Sequence, residues 1–545
     1  IIFKLDVCFT HSKCFPSLVF LNFLGITNTE KTKYRIQQLN SRLKVLLISP
    51  MYNSSIVAPC LGLGYLASAL KKNGHDVLIL DGLREKIEYN PSEWDIVGVS
   101  AMSTYFPECI EEVKKAKSYG LKTIIGGPHI ICDPIQSLID SGADYAAIGE
   151  GERTMTQLAA GLPPAQVDGL AYWNNGKVVQ SKQSDSMIGE TESGATTFLM
   201  KENMYTLQVG KLKRDFQLNI DDFGRPDWSS IDPRTYPVAP HGMIAHAHPI
   251  APIITTRGCP YSCTYCSAPI TAGKRMRYRD PKNVVDEIEM LVNDFGVKEI
   301  QIEDDNFTLN RKHCITICEE ILKRGIKVLW SLPNGVRIDK LDKEMLLLFK
   351  KAGCVSMALG IESANQRILD MIKKELNQEI VKKVVQDVAD VGIETVGFFM
   401  IGFPTETKQE IENTINFALE LPLTRAIFAK VTPLPGTELF DLWEEKYSET
   451  GKVDWKTFNY YQFDADWADC SFEEIAKLQT RATFRFYIRP KQLLTMLKQL
   501  NFAQYKRATT RLAKILLGAR TYNTVISKEG TIRRDDITKQ QIPSM

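Results

Sequence analysis

Between Lys44 and about Leu439 the chain repeats one rhythm twice: a short β-rich apolar run, then a helix-patterned stretch. The first series is KVLLISP, HDVLILD, DIVGVSA, LKTIIGGP and YAAIGEGE, closing near Glu152, with LGYLASALKKNG and CIEEVKKAKSYG between its strands. Near-continuous apolar strands that alternate with helices predict a parallel sheet covered on both faces. In such sheets ligands bind beyond the carboxyl ends of the strands. Those ends carry Pro50, Ser100, Ser103, Thr104, Gly126, Gly127, Gly149 and Gly151. Glycine lets backbone approach a ligand and hydroxyls bind polar groups, although each residue taken singly also reads as an ordinary turn or cap.

The second series runs from Ile253 to about Leu439. Its strands are PIITTR, VKEIQIEDDNFTLN, KVLWSLPNGVRID, CVSMALGIESANQ, ETVGFFMIGFPTET and AIFAKVTPLPGTELF, separated by stretches such as PKNVVDEIEMLVNDFG and NQEIVKKVVQDVADVG. Repeated βα units of this kind predict a partial TIM-like barrel whose strand ends share one face. That face would carry Glu303, Asp304 and Asp305, then Arg337 and Asp339, then Gly360, Glu362 and Ser363, then Gly397 and Gly402. A solvated or helix-capping loop also explains the acids.

At 545 residues the chain has room for about three domains. A hydrophobic content of 44% with 24% charged residues is that of a soluble globular protein. It contains no run of eighteen apolar residues, which argues against a spanning helix. The net charge of +2 offers no broad basic field, so no nucleic-acid partner is expected. Twelve scattered cysteines do not form a disulfide framework and favour a reducing, cytoplasmic setting.

Three of those cysteines stand apart. TTRGCPYSCTYCSAP places Cys259, Cys263 and Cys266 in C-x-x-x-C-x-x-C spacing directly after a strand. A zinc site would need a fourth ligand, and none lies nearby. Cys314 and Cys318 fall at i and i+4 on a helix, where an apolar face explains them better. Three thiolates suit three irons of a four-iron, four-sulfur cluster and leave one iron open to a non-protein ligand.

C-x-x-x-C-x-aromatic-C, with Tyr265 before the last cysteine, resembles the signature of the radical S-adenosylmethionine (SAM) superfamily, and the next 180 or so residues match that family strand by strand. LGLGYLASALKKNGHDVLILD, VSAMSTYF, IIGGPHI and IGEGE resemble the cobalamin-binding domain fused to many such enzymes, over about Leu43 to Arg153. The D-x-H-x-x-G signature that gives cobalt a histidine elsewhere is missing, so the lower ligand is open. The resemblance implies an α/β chain: a flavodoxin-like (Rossmann-like) sheet, then a partial (β/α)6 radical SAM barrel, then a helical tail. It implies a 4Fe-4S cluster on Cys259, Cys263 and Cys266, with SAM and cobalamin as the other cofactors. Tyr265, Asp304, Glu362, Ser363, Gly397 and Gly402 would hold SAM. Leu63, Gly64 and Tyr65 would face the corrin, and Ser100, Ser103, Gly126, Gly127, His129, Gly149 and Glu150 would line its tail. No catalytic side chain is assigned.

The family chemistry is reductive cleavage of SAM to a 5′-deoxyadenosyl radical, followed most often by C- or P-methylation of a small-molecule or lipid substrate. Oxidative cyclisation or rearrangement without methyl transfer is the alternative within enzymes, and a non-catalytic corrinoid or Fe–S sensor the alternative outside them. A flavodoxin, ferredoxin or reductase would donate electrons.

The expected domains are an extension at residues 1–42, a cobalamin-binding-like domain at 43–160, a connector at 161–250, the barrel at 251–445 and a mostly helical segment at 446–545. His241, His246 and His248 in the connector make a metal site conceivable, with substrate contact or solvent exposure the stronger reading. FAQYKRATTRLAKILLGAR, from Phe502, is basic and amphipathic and would suit peripheral membrane contact, or simply a helix packed on the barrel.

Overall fold

The computed structural model describes residues 42–499, except 53–56, 182–196, 202–203, 210–211, 238–244, 448–452, 454, 456–457, 460–462 and 464. The extension at 1–41, His241 and the basic stretch from Phe502 lie outside the described residues.

The first series folds as β1 (Lys44–Ser49), β2 (Asp76–Asp81), β3 (Ile96–Ser100), β4 (Lys122–Gly126) and β5 (Tyr145–Ala147). All pair in parallel, in the order β2-β1-β3-β4-β5. This is the flavodoxin-like order, whose topological switch lies between β1 and β3. The sheet continues past the expected boundary at residue 160. An antiparallel hairpin, β6 (Leu170–Asn174) and β7 (Lys177–Gln180), extends it to seven strands. Part of the expected connector is thus sheet, because Leu170 and Ala171 are apolar enough to be fully buried beside β5.

Helix α1 (Leu61–Lys72) shows why the intervening stretches are helical. Leu63, Ala67 and Leu70 fall on one stripe and are buried, while Lys71 and Lys72 close the last turn. The segment at Pro226–Ile231 packs onto this helix: a Cβ on Gly64 would lie 2.6 Å from Ile231 Cδ1 and 3.0 Å from Pro226 Cβ. Strands β8 (Thr197–Lys201), β9 (Met204–Val209) and β10 (Leu212–Gln217) form a separate antiparallel sheet.

The second series gives β11 (Ile250–Ile253), then a two-stranded ladder of β12 (Thr256–Arg257) and β13 (Arg277–Tyr278). It goes on through β14 (Glu299–Ile302), β15 (Leu329–Val336), β16 (Cys354–Glu362), β17 (Glu394–Ile401) and β18 (Arg425–Lys430). The six longer strands pair in parallel in the order β11-β14-β15-β16-β17-β18, the order of a partial (β/α)6 barrel. Helix boundaries follow local chemistry. Helix α2 (Pro281–Phe295) starts with Asp280 accepting from Lys282 N–H and with proline in its first turn, and ends at Gly296 in the left-handed region. One face of the sheet feeds the main core through Met357, Leu359, Phe399 and Phe428. The other carries a small cluster of Ala358, Val396, Phe398 and Ile427.

The edge strand β18 is protected by helix α3 (Phe472–Tyr487) in the C-terminal segment. Gln479 Nε2 donates to Phe428 O at 2.7 Å, and Tyr487 OH donates to Ala426 O at 3.1 Å. Side chains thus take up carbonyls that an open edge would leave available for unwanted pairing.

Candidate active site at the facing strand ends

The cysteine loop is held from below before it begins. Asp304, at the β14 exit, accepts from the backbone N–H of Thr255 at 2.6 Å and of Thr256 at 3.0 Å, and from the Thr255 hydroxyl. Burial pushes its carboxyl up to about 6, against the pull of those hydrogen bonds. Gly258 follows at φ +102, where a Cβ would lie 2.4 Å from Arg275 O, so only glycine fits the turn. The loop then closes through Cys259 N–H to Gly273 O at 2.9 Å, Thr264 N–H to Ile372 O at 3.2 Å and Cys266 N–H to Cys263 O at 3.2 Å.

Cys259, Cys263 and Cys266 are half-buried free thiols, close enough to raise one another's pKa. Burial, the main cause, takes Cys266 up to about 12. Thiols raised in this way stay protonated until a metal replaces the proton. Three together, with no fourth cysteine beside them among the described residues, fit a cluster that keeps one iron open. Cys314 and Cys318 are fully buried in the core, as expected of packing residues.

Beside the loop lies a second polar unit. Glu362 ends β16 with φ +63, a backbone conformation that glutamate adopts only under constraint. Its Oε1 accepts from Lys374 Nζ at 2.8 Å and from Tyr265 OH at 3.0 Å, and Lys374 also reaches Tyr265 OH at 3.3 Å. Burial and the neighbouring Glu362 push the Tyr265 hydroxyl well above its ordinary range. Arg337 donates to Asp339 at 2.8 Å and to Lys374 O at 2.9 Å, and stacks on Tyr261 at 3.8 Å. Tyr265 also packs with Phe403, Met400 and Val431 in an apolar cluster at the exits of β17 and β18. Cysteine loop, acid–lysine pair and apolar shelf are thus contiguous.

Other expected SAM contacts go elsewhere in this structure. The Ser363 hydroxyl faces Thr414 Oγ1 at 3.3 Å and accepts from Asn365 N–H at 3.1 Å. Gly397 faces the helix layer, where a Cβ would lie 2.7 Å from Leu423 Cδ1 and 2.8 Å from the Phe399 ring. Its neighbour Phe398, one residue on, takes the opposite face. Gly402, at φ +86, gives its N–H to Glu406 at 2.7 Å and its carbonyl to Trp467 Nε1 at 2.8 Å. Burial lifts the Glu406 carboxyl to about 7. Asp304 is spent on the loop backbone, as described above.

In the first sheet the strand exits gather Ser100, Ser103, Gly126, Gly127 and His129. Gly127, at φ +104, approaches Ala101 so closely that a Cβ would lie 2.7 Å from its carbonyl oxygen. Ser103 Oγ lies 3.0 Å from His129 Nδ1. The imidazole packs tilted against Phe106 at 4.2 Å and edge-on against Trp455 at 4.6 Å, and burial lowers its pKa to about 3. Leu63, Gly64 and Tyr65 are displaced from the expected corrin face. Leu63 is 3% and Tyr65 3% exposed, Gly64 lies under Ile231, and Arg257 stands over the Tyr65 ring at 5.0 Å. They belong to the packing between α1 and the barrel.

Gly149 keeps the left-handed turn at the β5 exit, at φ +108, while Glu150 turns away from the expected tail contacts. Glu150 Oε1 accepts from Arg257 Nη1 at 3.0 Å and Arg277 Nη1 at 2.6 Å, and Oε2 from Gln217 N–H at 2.8 Å. Glu152 adds Arg257 Nη2 at 2.9 Å. Arg257 lies two residues before Cys259, so the β5 exit is bolted to the cysteine loop. At a second contact, a Cβ on Gly436, after β18, would lie 3.8 Å from Cys132, in the segment after β4. The strand ends of the two sheets therefore face one another. Lys374, Arg257, Arg277 and Trp455 all escaped the sequence reading; their partners lie at distances along the chain that local pattern does not report.

His246 and His248 of the connector show no metal site among the described residues. His246 lies 3.8 Å from Glu299 and 3.4 Å from Glu394 at the amino ends of β14 and β17, and His248 contacts Tyr236 O at 3.2 Å. Among the described residues no cluster of three metal-ligating side chains of this kind appears, and no helix is long and apolar enough to cross a membrane.

An iron–sulfur enzyme with a second ligand-binding sheet facing its cluster loop is the class this arrangement defines. Family models agree: the Radical SAM superfamily matches residues 253–418 and the B12 binding domain residues 54–159. An uncharacterized methyltransferase of Pyrococcus horikoshii is 29% identical over 495 residues, covering 87% of this chain and 98% of the relative. The anaerobic magnesium-protoporphyrin IX monomethyl ester cyclase of Rubrivivax gelatinosus is 30% identical, covering 77% of this chain and 72% of that one. Among solved structures, the radical SAM methyltransferase TsrM of Kitasatospora setae, with cobalamin and a 4Fe-4S cluster bound, superposes with a TM-score of 0.60 at 20% identity over 75% of this chain and 76% of that chain. The chain belongs to the cobalamin-binding-domain radical SAM enzyme family. Its cofactors are accordingly a 4Fe-4S cluster, SAM and cobalamin.

Proposed function

We propose that this enzyme transfers a methyl group from SAM to an unactivated carbon or phosphorus of a small-molecule or lipid substrate, using the cluster and the corrin together. When bound, the cluster would supply the electron that cleaves one SAM to a 5′-deoxyadenosyl radical and methionine, and cobalamin would carry the methyl group of a second SAM. Cys259, Cys263 and Cys266 hold the three closed irons. Glu362, Lys374 and Tyr265 hold the polar groups of SAM, with the apolar shelf at Val431 and Phe403 under its adenine. Ser100, Ser103 and the close backbone turn at Gly126–Gly127 receive the corrinoid, and His129, buried and neutral, positions Ser103.

The observation that carries this reading is the opposition of the two sets of strand ends, bolted by Arg257 and Glu150. Facing strand ends would let both cofactors meet one substrate with water excluded, which is what the protein must contribute. Methyl transfer is favoured over cyclisation by the match to 98% of the length of a relative named as a methyltransferase, against 72% for the cyclase.

The test is anaerobic turnover with methyl-labelled SAM and a metabolite extract under reducing conditions. Label in a product, together with 5′-deoxyadenosine, supports the reading. Deoxyadenosine with no transferred label would favour cyclisation or rearrangement. No deoxyadenosine at all would leave a corrinoid or Fe–S sensor.

A further inference from the structure

Arginines are buried at several places around the junction of the two sheets, and most carry a carboxylate with them. Arg257 and Arg277 share Glu150, Arg279 holds Glu287 at 2.6 Å, and Arg337 holds Asp339 at 2.8 Å. That is the expected pattern, because arginine is seldom fully buried unless paired. Arg214, on β10, is different. It is 2% exposed, and among the described residues no carboxylate lies within ion-pair distance.

Its contacts are to backbone instead. Nε and Nη2 donate to Ile131 O at 3.0 and 2.8 Å, and Nη2 reaches Cys132 O at 3.4 Å. Nη1 is buried with no hydrogen-bond partner. Burial lowers the pKa of the group, and Cys132 opposes the shift. Two carbonyls satisfy donors but leave the charge uncompensated, and an unmade bond on a buried charged donor calls for a partner.

The position says which partner. Ile131 and Cys132 end the short helix Pro128–Cys132, which begins directly after the Gly126–Gly127 turn at the β4 exit. Cys132 in turn lies against Gly436 at the barrel mouth. The guanidinium therefore stands where the corrinoid-receiving turn meets the second domain. A guanidinium presents a planar fork that matches phosphate oxygens better than any other side chain. Of the groups on cobalamin, only the phosphodiester of the nucleotide tail carries a negative charge.

We propose that Arg214 binds the phosphodiester of the cobalamin nucleotide tail, an inference that rests on the cobalamin-binding reading of the first domain. The full chain, prepared free of corrinoid and without oxygen, is titrated with hydroxocobalamin and with aquacobinamide, which has the corrin but neither phosphodiester nor base. In Arg214→Gln, cobalamin binding should weaken by about tenfold or more while cobinamide binding stays at the wild-type level. Unchanged cobinamide binding also shows that the variant is folded. Arg214→Lys, which keeps the charge but loses the fork, should fall between the two. Cobalamin and cobinamide binding that are both unchanged in Arg214→Gln, or that fall together, would overturn the proposal. Wild-type protein that binds neither corrinoid would overturn the cobalamin reading itself, and the two failures are thereby told apart.

Discussion

The two sheets present opposite kinds of chemistry at their facing ends. The barrel exits carry ionisable side chains that already have protein partners: Asp304 is hydrogen-bonded by Thr255 and Thr256, Glu362 paired with Lys374, and Arg337 with Asp339. The first-sheet exits carry hydroxyls, glycines and an imidazole that burial keeps neutral; of their acids, Asp81 is buried against Tyr236 and Glu150 is turned over to the barrel. The difference suits the ligands. SAM brings an ammonium, a carboxylate and a sulfonium, which need counter-charges. A corrin is large and mostly uncharged, and is better met by backbone and small polar groups. Arg214 is the exception on its side of the junction, and so the more informative residue.

The sharpest break would come from the barrel side. Cys263→Ala should leave a cluster with too few ligands to survive purification. Iron content should fall to near background and 5′-deoxyadenosine should become undetectable, while corrinoid binding stays at the wild-type level. Loss of both cofactors together would mean that the sheets do not hold their ligands independently.

Next in size is the buried pair beside the loop. Lys374 and Glu362 are 8% and 6% exposed. Lys374→Met strands the carboxylate and should cost about 3–5 kcal/mol in chemical denaturation, the usual penalty for breaking a buried pair from one side. Methionine fills similar space, so a loss under about 1 kcal/mol would show that the site is wetter than the structure implies. Glu150→Gln should cost less, about 1–3 kcal/mol, because the amide still accepts from Arg257 or Arg277. Its clearer signature is limited proteolysis, with faster cleavage between the two sheets and less corrinoid retained. Equal protease resistance in variant and wild type would mean that apolar packing through Trp228 and Ile231, not the ion cluster, holds the junction.

Strands and the cysteine loop were legible in the sequence because their signals are local: apolar runs, and a fixed spacing after a strand. Side-chain destinations were less so. Gly397 reads as a place for close ligand approach, yet in ETVGFFMIG the alternation puts Val396 and Phe398 on the concave face and Gly397 toward the helices. That phase is set by the pairing of β17 with its neighbours and not by the segment itself. Asp304 stands where an acid is expected, but its backbone donors at Thr255 and Thr256 lie on another strand. Gly64 is covered by Pro226 and Ile231, in a stretch without period where no packing surface could be foreseen, and Tyr65 by Arg257 from the second domain. Arg214 with Ile131, Arg257 with Glu150 and Lys374 with Tyr265 join residues 83 to 109 apart, which only the fold brings together.

The smallest expected effect lies at the far end of the barrel and separates structural charge from functional charge. His246 sits between Glu299 and Glu394, and the two carboxylates raise its pKa from the ordinary 6.5 to about 9. A histidine whose folded-state pKa is raised contributes stability that is fully present below about pH 6.5 and is lost as pH climbs through about 9. Wild-type protein should therefore lose stability across that window relative to His246→Gln, which has no proton to release. The comparison is made by denaturant midpoints of the two proteins measured from pH 6 to pH 9.5. Because Glu299 also takes the backbone N–H of His246 at 2.7 Å and of Ala247 at 3.0 Å, the variant should keep the anchor and lose only the pH dependence. Parallel curves for the two proteins would mean that His246 is not charged in the fold. The closure of this end would then rest on the backbone bonds to Glu299 alone.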